Sequence, residues 1–583
     1  MIRQATNTVK VSKFIINFFK SKNIKTFFVF QGGAIMNLIN EIGNDKNLNY
    51  IIPHHEQALS MQVDTFSRLN GYGVGMVTSG PGATNILTGL CSAYYDSIPC
   101  FFITGQVGQI HLKKNKQYRQ FGFQETDVVS IFKSVTKYAK QITNASNIKY
   151  ELEKAYHISN HGRPGPVLLD IPFNIQIKKI NPLKLRSFKF IKNNEKLKSE
   201  LVKLKRLELL LQKTKKPLLL IGGGLKTPDI SKQFLAMIEK YKLPFVTTWK
   251  SQDFASSDHV LNIGSIGKNG HRSANYACEA ADLIITLGQR FAVKNIFGNF
   301  GINAKIIAID IDKQELKSPL IKVNLGINLS LNNFLLNFKP NLNSKSDKLI
   351  NWRNELSMIK NKLYEITILK KNINLVNPFL FIKKISQNIS KNSILHIDIG
   401  AHQTWFFQSF LSKNGQKIIN HCGHGAMGHA ICSAVAGYCS KFKKYKHIVF
   451  IGDGGFMMNV QELNYIRAKK IPIKIVVLNN SSLGNTFLGT LKTFKKTYGN
   501  DESTGYTPPN IKNISSGFNI KYFTISNNFE INKKIIEFLK EKNSAILDVK
   551  ISKYQETAEL DQIKSLKKII YQEKLFQCIN QAN

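Results

Sequence analysis

Acidic side chains are scarce in this sequence: 38 Asp+Glu stand against 81 Lys+Arg, a formal charge of +43. Such a surplus ordinarily raises nucleic acid as a partner. Here the lysines are spread along the chain among Ile and Asn, as in an AT-rich coding sequence, so no nucleic-acid partner is expected. Long apolar runs are missing too. Those in "KPLLLIGGG" and "KIVVLNN" stop well short of the ~20 residues of a spanning helix, which predicts no membrane segment. Cysteine is sparse, and its seven residues (Cys91, Cys100, Cys278, Cys422, Cys432, Cys439, Cys578) form no CxxC pair. An odd count without that spacing argues against a disulfide framework and for a reducing compartment. Acid is wholly absent before Glu41, a bias shared with transit peptides. Yet Val11, Phe14, Ile15, Phe18 and Phe19 make one helical stripe leading into "TFFVF" and Gly32-Gly33, so the expectation is a folded first helix and a cytoplasmic protein.

What is present is length and apolar content. A chain of 583 residues, 43% hydrophobic, is too long for one core and suggests three or four domains. Two polar, lysine-rich stretches, 178–216 and 337–365, are linker candidates, each running into a helix. They separate blocks 1–177, 217–336 and 366–550, followed by a tail at 551–583. Each block alternates short β-branched runs with helical patterns, which predicts an α/β protein of three domains, each a central parallel sheet flanked by helices. No short-period repeat is visible.

The segment Ile451–Asn480, "IGDGGFMMNVQELNYIRAKKIPIKIVVLNN", carries the sharpest signal. It reads as strand, helix, strand, so Asp453 and Asn480 fall at the carboxyl ends of parallel strands, where open α/β sheets bind ligands. A helix starting just after Gly454 and Gly455 offers free N–H groups to a diphosphate. One carboxylate with one amide oxygen is a hard, oxygen-only set suited to Mg2+, which keeps few protein ligands beside phosphate oxygens and water. Gly-Asp-Gly alone is an ordinary turn. Joined to Asn479-Asn480 across 24 intervening residues, it is far more specific.

That combination is the residue pattern of thiamine-diphosphate enzymes, and the rest of the chain resembles the acetolactate synthase group. "YIIPHHEQALSMQ", "VTSGPGATNILTGL", "DSIPCFFITGQV", "FGFQETDVV" and "GRPGPVLLDIP" follow in the family's order, and the likeness runs from about Val9 to Val549. The resemblance implies a pyrimidine-binding first domain, a central FAD-type domain and a diphosphate-binding third domain. Thiamine diphosphate supplies the reactive carbanion while the protein supplies orientation and proton handling. A buried carboxyl group can exchange a proton with the cofactor's ring nitrogen, and the resemblance gives that role to Glu56. Pro81, Gly82 and Asn85 match the glycine-rich turn beside it. In the third block His402 and Gln403 stand at a strand end, and "HCGHGAMGHA" resembles the loop over the cofactor's centre. Gly425 belongs to that loop, and Met427 would hold the thiamine bent. Gly454 and Gly455 would meet the diphosphate. Asp453, Asn480 and the Ser482 backbone carbonyl would hold Mg2+. Histidines His421, His424 and His429 with Cys422 fit no common zinc spacing.

The middle block resembles the family's flavin domain. Gly222 and Gly223 of "IGGG", then Gly267, Asn269 and Gly270 of "GKNG", allow close backbone approach to a dinucleotide. Arg163, Arg290, Asp310, Ile311 and Asp312 match FAD-contacting positions, and a flavin there would be structural.

Two acceptor determinants depart from the family. Biosynthetic members read "RFDDR" where this chain has "RFAVK", placing Lys294 at the second arginine; a point-charge ammonium does not replace a bidentate guanidinium. They also carry tryptophan nine residues after the second asparagine, where this chain has Gly489. With "GNDESTGYTPPNI", these changes are similar to a branch associated with nucleotide-sugar and polysaccharide synthesis. The resemblance thus implies a carboligase that decarboxylates pyruvate and transfers the two-carbon unit to a carbonyl acceptor, a 2-oxoacid or a keto-sugar. Phe123 and Gln124 would line the donor side, and Lys294 with Gly489 the acceptor side. The alternatives are a simple 2-oxoacid decarboxylase and a non-catalytic cofactor-binding homologue. Relatives build each site between subunits, so a homodimer or tetramer is implied, and a small regulatory subunit fits the same family.

Overall fold

The computed structural model describes residues 8–557 apart from 116, 191–194, 226–227, 297 and 369–374. Residues 558–583, most of the tail, lie outside the described residues, as does Cys578. The helix Val11–Ser21 buries Val11, Ile15, Phe18 and Phe19, the stripe expected from their spacing. After it come β1 (Thr26–Val29), β2 (Asn49–Ile51), α1 (Glu56–Asn70), β3 (Gly73–Val77), α2 (Leu87–Asp96), β4 (Cys100–Gln106), β5 (Tyr138–Gln141) and β6 (Val167–Pro172). Their six strands form one sheet in the order β2-β1-β3-β4-β6-β5, all pairs parallel.

The central domain holds α3 (Glu195–Lys213), β7 (Pro217–Ile221), β8 (Phe245–Thr247), β9 (Asn262–Ser265), β10 (Leu283–Leu287), β11 (Lys305–Ile309) and β12 (Leu325–Ile327). The order is β9-β8-β7-β10-β11-β12, the doubly wound arrangement associated with dinucleotide binding. Within the stretch 178–216, α3 sends Leu204, Leu207 and Leu211 into the central core, and Lys179–Ile180 pairs antiparallel with Val9–Lys10. The stretch 337–365 enters α4 (Asp347–Ile368), whose Trp352 and Leu356 are buried against the other face of the same sheet. Both polar stretches therefore carry apolar stripes that composition averages away. Trp352 donates from Nε1 to the Pro217 carbonyl at 2.9 Å at the start of β7, and the Lys216 ammonium stands 4.9 Å from its ring centre. Trp352→Ala should lower unfolding stability by about 3–5 kcal/mol. Denaturant unfolding monitored by far-UV circular dichroism reads this, and a loss below about 1 kcal/mol would contradict the packing.

The third domain runs β13 (Ser393–Ile397), α5 (Ala401–Ser409), β14 (Lys417–Asn420), α6 (His429–Tyr438), β15 (Lys446–Gly452), α7 (Asp453–Met458), α8 (Glu462–Ala468), β16 (Lys474–Asn479), α9 (Gly484–Phe494), β17 (Lys521–Ile525) and β18 (Ala545–Lys550). Its order, β14-β13-β15-β16-β18-β17, repeats the first domain's. Strands such as "KIVVLN" are buried end to end, as expected of a parallel sheet covered on both faces. The first and third domains pack on each other through α1 and α6.

One sequence expectation changes in detail. The single helix read from "FMMNVQELNYIRAKK" is two short ones, α7 and α8. Asn459 breaks the run: it is fully buried at φ −137°, ψ 39°, and its Nδ2 donates to the Gly428 carbonyl at 3.1 Å. Helix α7 starts at Asp453 itself, so Gly454 and Gly455 lie in its first turn.

Candidate active site

The third sheet reverses its winding between β13 and β15, because the chain leaves β13 for β14 on one side and returns to β15 on the other. Such a switch point opens a crevice at the strand carboxyl ends. His402 and Gln403 follow β13 from the first turn of α5, and Asp453 follows β15. The His402 ring lies against Gly452: a Cβ there would stand 3.0 Å from Nδ1. His402 is 3% exposed, and burial pushes its imidazole down to about 3, so the ring is neutral. Its Nε2 is buried without a hydrogen-bond partner, a polar atom of the kind that a ligand satisfies. Gln403 reaches Cys422 Sγ at 3.6 Å.

Asp453, Asn480 and Ser482 are all buried. One end of the Asn480 amide stands 3.2 Å from Asp453 Oδ1 and 2.9 Å from the Ser482 carbonyl. With its NH2 there, the amide donates to both. With its oxygen there, three oxygens converge, an arrangement that is repulsive unless a cation lies among them. Tyr506 donates to the other carboxylate oxygen, Asp453 Oδ2, at 3.0 Å, leaving Oδ1 turned towards Asn480. Burial pushes the Asp453 carboxyl up to about 6 against that hydrogen bond. Gly454 lies under Leu483, Met427 and Tyr506, at 2.8, 3.3 and 3.5 Å from the place a Cβ would take. Gly425 adopts φ +76°, which a loop residue with a side chain rarely does.

In the first domain the sheet reverses between β1 and β3. Glu56 opens α1, 8% exposed, and the preceding His55 caps that helix by accepting from Gln57 N at 3.0 Å. Asn85 Nδ2 donates to Glu56 Oε2 at 3.0 Å, and Gly82 brings its backbone to the carboxylate, with Oε1 3.5 Å from its Cβ position. Pro81 starts that short helix. A cavity of about 520 Å3 opens alongside, lined by Gly33, Ala34, Ser79, Gln106, Phe123 and Gln124 among others, all from the first domain. Phe123 is 86% exposed and Gln124 holds φ +62°. Glu56 thus opens a helix of the first domain and Asp453 a helix of the third.

In the central domain the turns after β7 and β10 meet at the switch point. A Cβ on Gly222 would lie 2.6 Å from Gln289 Cα, and Gly267 keeps φ +118° beside the Lys294 carbonyl. A Cβ on Gly223 would face the Lys250 side chain at 3.2 Å, and Gly270 folds onto Ile266. Asn269 is half-buried. Arg163 pairs with Asp312 at 3.1 Å and Glu315 at 2.5 Å, tying the first domain to the central one. Arg290 donates to the Tyr95 carbonyl at 3.3 Å. Burial pushes Asp310 up to about 6, and Ile311 is 44% exposed. Lys294 is exposed, and the space around Gly489 is open for 4 Å from its Cβ position.

Several charged groups carried no sequence signal. Glu462 accepts from His54 N at 2.8 Å and Gln62 Nε2 at 3.2 Å, and burial pushes it up to about 7. Asp398 accepts from Gly428 N at 2.9 Å and Ala430 N at 3.0 Å. Tyr506 stood within a stretch legible only as a departure from the family, and no spacing rule links it to Asp453.

Three domains of the thiamine pyrophosphate enzymes match this chain in order: the N-terminal TPP binding domain over residues 9–131, the central domain over 204–336 and the C-terminal TPP binding domain over 398–549. The chain is 31% identical over 548 residues to the acetolactate synthase large subunit of Lactococcus lactis subsp. lactis (strain IL1403), covering 93% of this chain and 92% of that one. It is 29% identical over 541 residues to the acetolactate synthase large subunit of Porphyra purpurea (90% and 89% covered). To the probable acetolactate synthase large subunit of Methanocaldococcus jannaschii it is 30% identical over 565 residues (93% and 92%). The chain therefore belongs to the thiamine pyrophosphate enzymes, within the acetolactate synthase large-subunit family, and is a thiamine-diphosphate-dependent enzyme.

Proposed function

We propose that this protein decarboxylates pyruvate and joins the resulting two-carbon unit to a carbonyl acceptor. The observation that carries the reading is the convergence of Asp453 Oδ1, the Asn480 amide and the Ser482 carbonyl at a switch point, beside the unpartnered His402 Nε2. That donor set fits Mg2+ held through a diphosphate, and the N–H groups of Gly454 and Gly455 in the first turn of α7 support the same ligand. Held there, thiamine diphosphate would supply carbanion chemistry for the substrate carbonyl. Gln403, Gly425 and Met427 line the approach to that half-site. Glu56, fixed by Asn85, holds and moves the proton at the cofactor's ring nitrogen. Phe123 and Gln124 face the donor.

Two chains are needed. The cavity lined by Phe123 and Gln124 has no lining residue from the third domain, which supports a homodimer or tetramer in which Asp453 of one subunit completes the site of Glu56 in another. The β9-β8-β7-β10-β11-β12 order and the glycine turns at Gly222, Gly223, Gly267 and Gly270 support a structural FAD, flanked by Asn269, Arg290 and the Asp310-Ile311-Asp312 run. Arg163 is already held by Asp312 and Glu315, so its part in binding FAD would require it to exchange partners. Flavin fluorescence of heat-released supernatant decides this. No helix among the described residues is long and apolar enough to cross a membrane, in keeping with a cytoplasmic enzyme. A small regulatory subunit remains part of the family reading.

For the acceptor, the exposed Lys294 and the open space at Gly489 favour a molecule larger than pyruvate, such as a keto-sugar. Carbon-13 NMR with labelled pyruvate, thiamine diphosphate, Mg2+ and FAD tests it. Slow carbon dioxide and acetaldehyde with pyruvate alone, and a new carbon–carbon product once keto-sugars are added, is the expected result. Rapid labelled acetolactate would instead establish a second 2-oxoacid as acceptor. Gly489→Trp should cut the keto-sugar product by roughly tenfold or more through steric exclusion, leaving decarboxylation in place.

A further inference from the structure

The loop from His421 to His429, which carries Met427, brings both its terminal histidines to a single carboxylate. Asp64, fully buried within α1, places Oδ2 3.0 Å from His421 Nε2 and 3.4 Å from His429 Nε2, the second too poorly aligned for a hydrogen bond, and Thr65 Oγ1 lies 3.4 Å from the same His421 nitrogen. The two imidazole rings stack with centroids 3.2 Å apart and planes 16° from parallel. Between them Gly423, Gly425 and Gly428 leave the backbone little preference of its own, the last two at φ +76° and +79°. Asp398 steadies only the exit, through Gly428 N and Ala430 N. Asn459 Nδ2 on the Gly428 carbonyl at 3.1 Å and the Tyr95–His424 stack at 5.9 Å hold it in between, and the two terminal histidines fix where it starts and where it enters α6.

The carboxylate is itself part of a chain of charges that runs from the first domain into the central one. Arg68 pairs with Asp64 at 3.1 Å and with Asp96 at 2.8 Å, and Asp96 takes Lys250 of the central domain as its second partner. Two acids and two bases cancel. Burial would raise the Asp64 carboxyl, but the Arg68 guanidinium and the two imidazoles hold it well below the usual range. Burial also keeps both imidazoles neutral, with His421 pushed down to about 3.

Asp64, His421 and His429 could also be taken for a metal-ligand triad. Their geometry and charge argue otherwise. With Zn–N bonds of about 2.0–2.1 Å, two imidazoles on a tetrahedral ion stand roughly 5 Å apart between ring centres, against 3.2 Å here. Metal-bound histidines give their second nitrogen to a partner, whereas Nδ1 of both rings has none. A divalent ion would also leave uncompensated charge in a network that is already balanced.

We propose that Asp64, His421 and His429 form a clamp that positions the Met427 loop for thiamine diphosphate, acting through the loop without touching the cofactor. The inference rests on the thiamine-diphosphate reading of the third domain's half-site. His429→Phe keeps the stacked ring and removes its nitrogen contact; His421→Phe does the same at the other end, while His421→Gln restores an N–H donor. Affinity is read in the full chain with Mg2+ by quenching of tryptophan fluorescence, since Trp249 accepts from Asn420 beside the loop and Trp405 lies in α5. Either phenylalanine variant should raise the thiamine diphosphate Kd about tenfold or more with little change in Tm, and His421→Gln should recover most of the loss. An unchanged Kd in both phenylalanine variants overturns the clamp, as does a loss seen only with a collapse of Tm. Stoichiometric zinc in the wild-type protein, lost on His421→Phe, would overturn it in favour of a metal site. If the wild-type chain itself fails to bind the cofactor, the reading of the half-site falls and takes the clamp with it.

Discussion

Replacing Glu56 by Gln is expected to lower pyruvate turnover by about 10²–10⁴-fold, the usual contribution of a positioned proton-transfer group, while leaving the thiamine diphosphate Kd within a fewfold of wild type. The separation follows from where Glu56 sits. It belongs to the first domain and is held by Asn85 Nδ2 at 3.0 Å, whereas the oxygens suited to a metal and diphosphate lie in the third domain. Gln keeps the shape and still accepts from Asn85 through its carbonyl, but it cannot exchange a proton near neutral pH. Steady-state turnover beside equilibrium cofactor titration checks this. Turnover within threefold of wild type would remove Glu56 from the proton-handling role, and a parallel loss of binding would make it a structural contact instead.

Asp453→Ala should show the opposite pattern: loss of cofactor retention, with turnover lost as a consequence. Substituting residues that merely orient metal ligands costs 10–100-fold in affinity, so deleting the only carboxylate of the oxygen set should raise the Mg2+-dependent thiamine diphosphate Kd by more than about 100-fold. Tyr506→Phe gives a graded comparison. It removes the phenol that donates to Oδ2 at 3.0 Å but leaves Oδ1 facing Asn480, so a loss of about tenfold is expected. Titration calorimetry at fixed Mg2+, repeated after chelation, measures both. Binding by Asp453→Ala that stays tight and indifferent to chelation would show that the diphosphate is held without this oxygen cluster.

Much of this arrangement is legible in the sequence. Gly452-Asp453-Gly454 and Asn479-Asn480 follow two apolar runs, and a parallel strand buried on both faces must end where its apolar run ends, so both polar groups had to emerge at carboxyl edges. Other features lay beyond the reach of local spacing. Asp64 and His421 are 357 positions apart and meet only because α1 packs on α6. Tyr506 reaches Asp453 from a segment 53 positions away. The polar stretches at 178–216 and 337–365 looked like linkers because lysines and asparagines dominate their composition, yet Leu204, Leu207, Leu211 and Trp352 turn one helical face of each into core.

By itself, the sequence determined the three α/β domains, the family and the residues at each strand end, because strand length, glycine turns and helical stripes are local properties of the backbone and of burial. Only the tertiary structure decided which charges are paired, which histidines share one carboxylate and which side chains lie around each half-site. Those outcomes depend on how three separately formed cores dock, where a buried polar group must find its partner across a domain boundary rather than along its own segment.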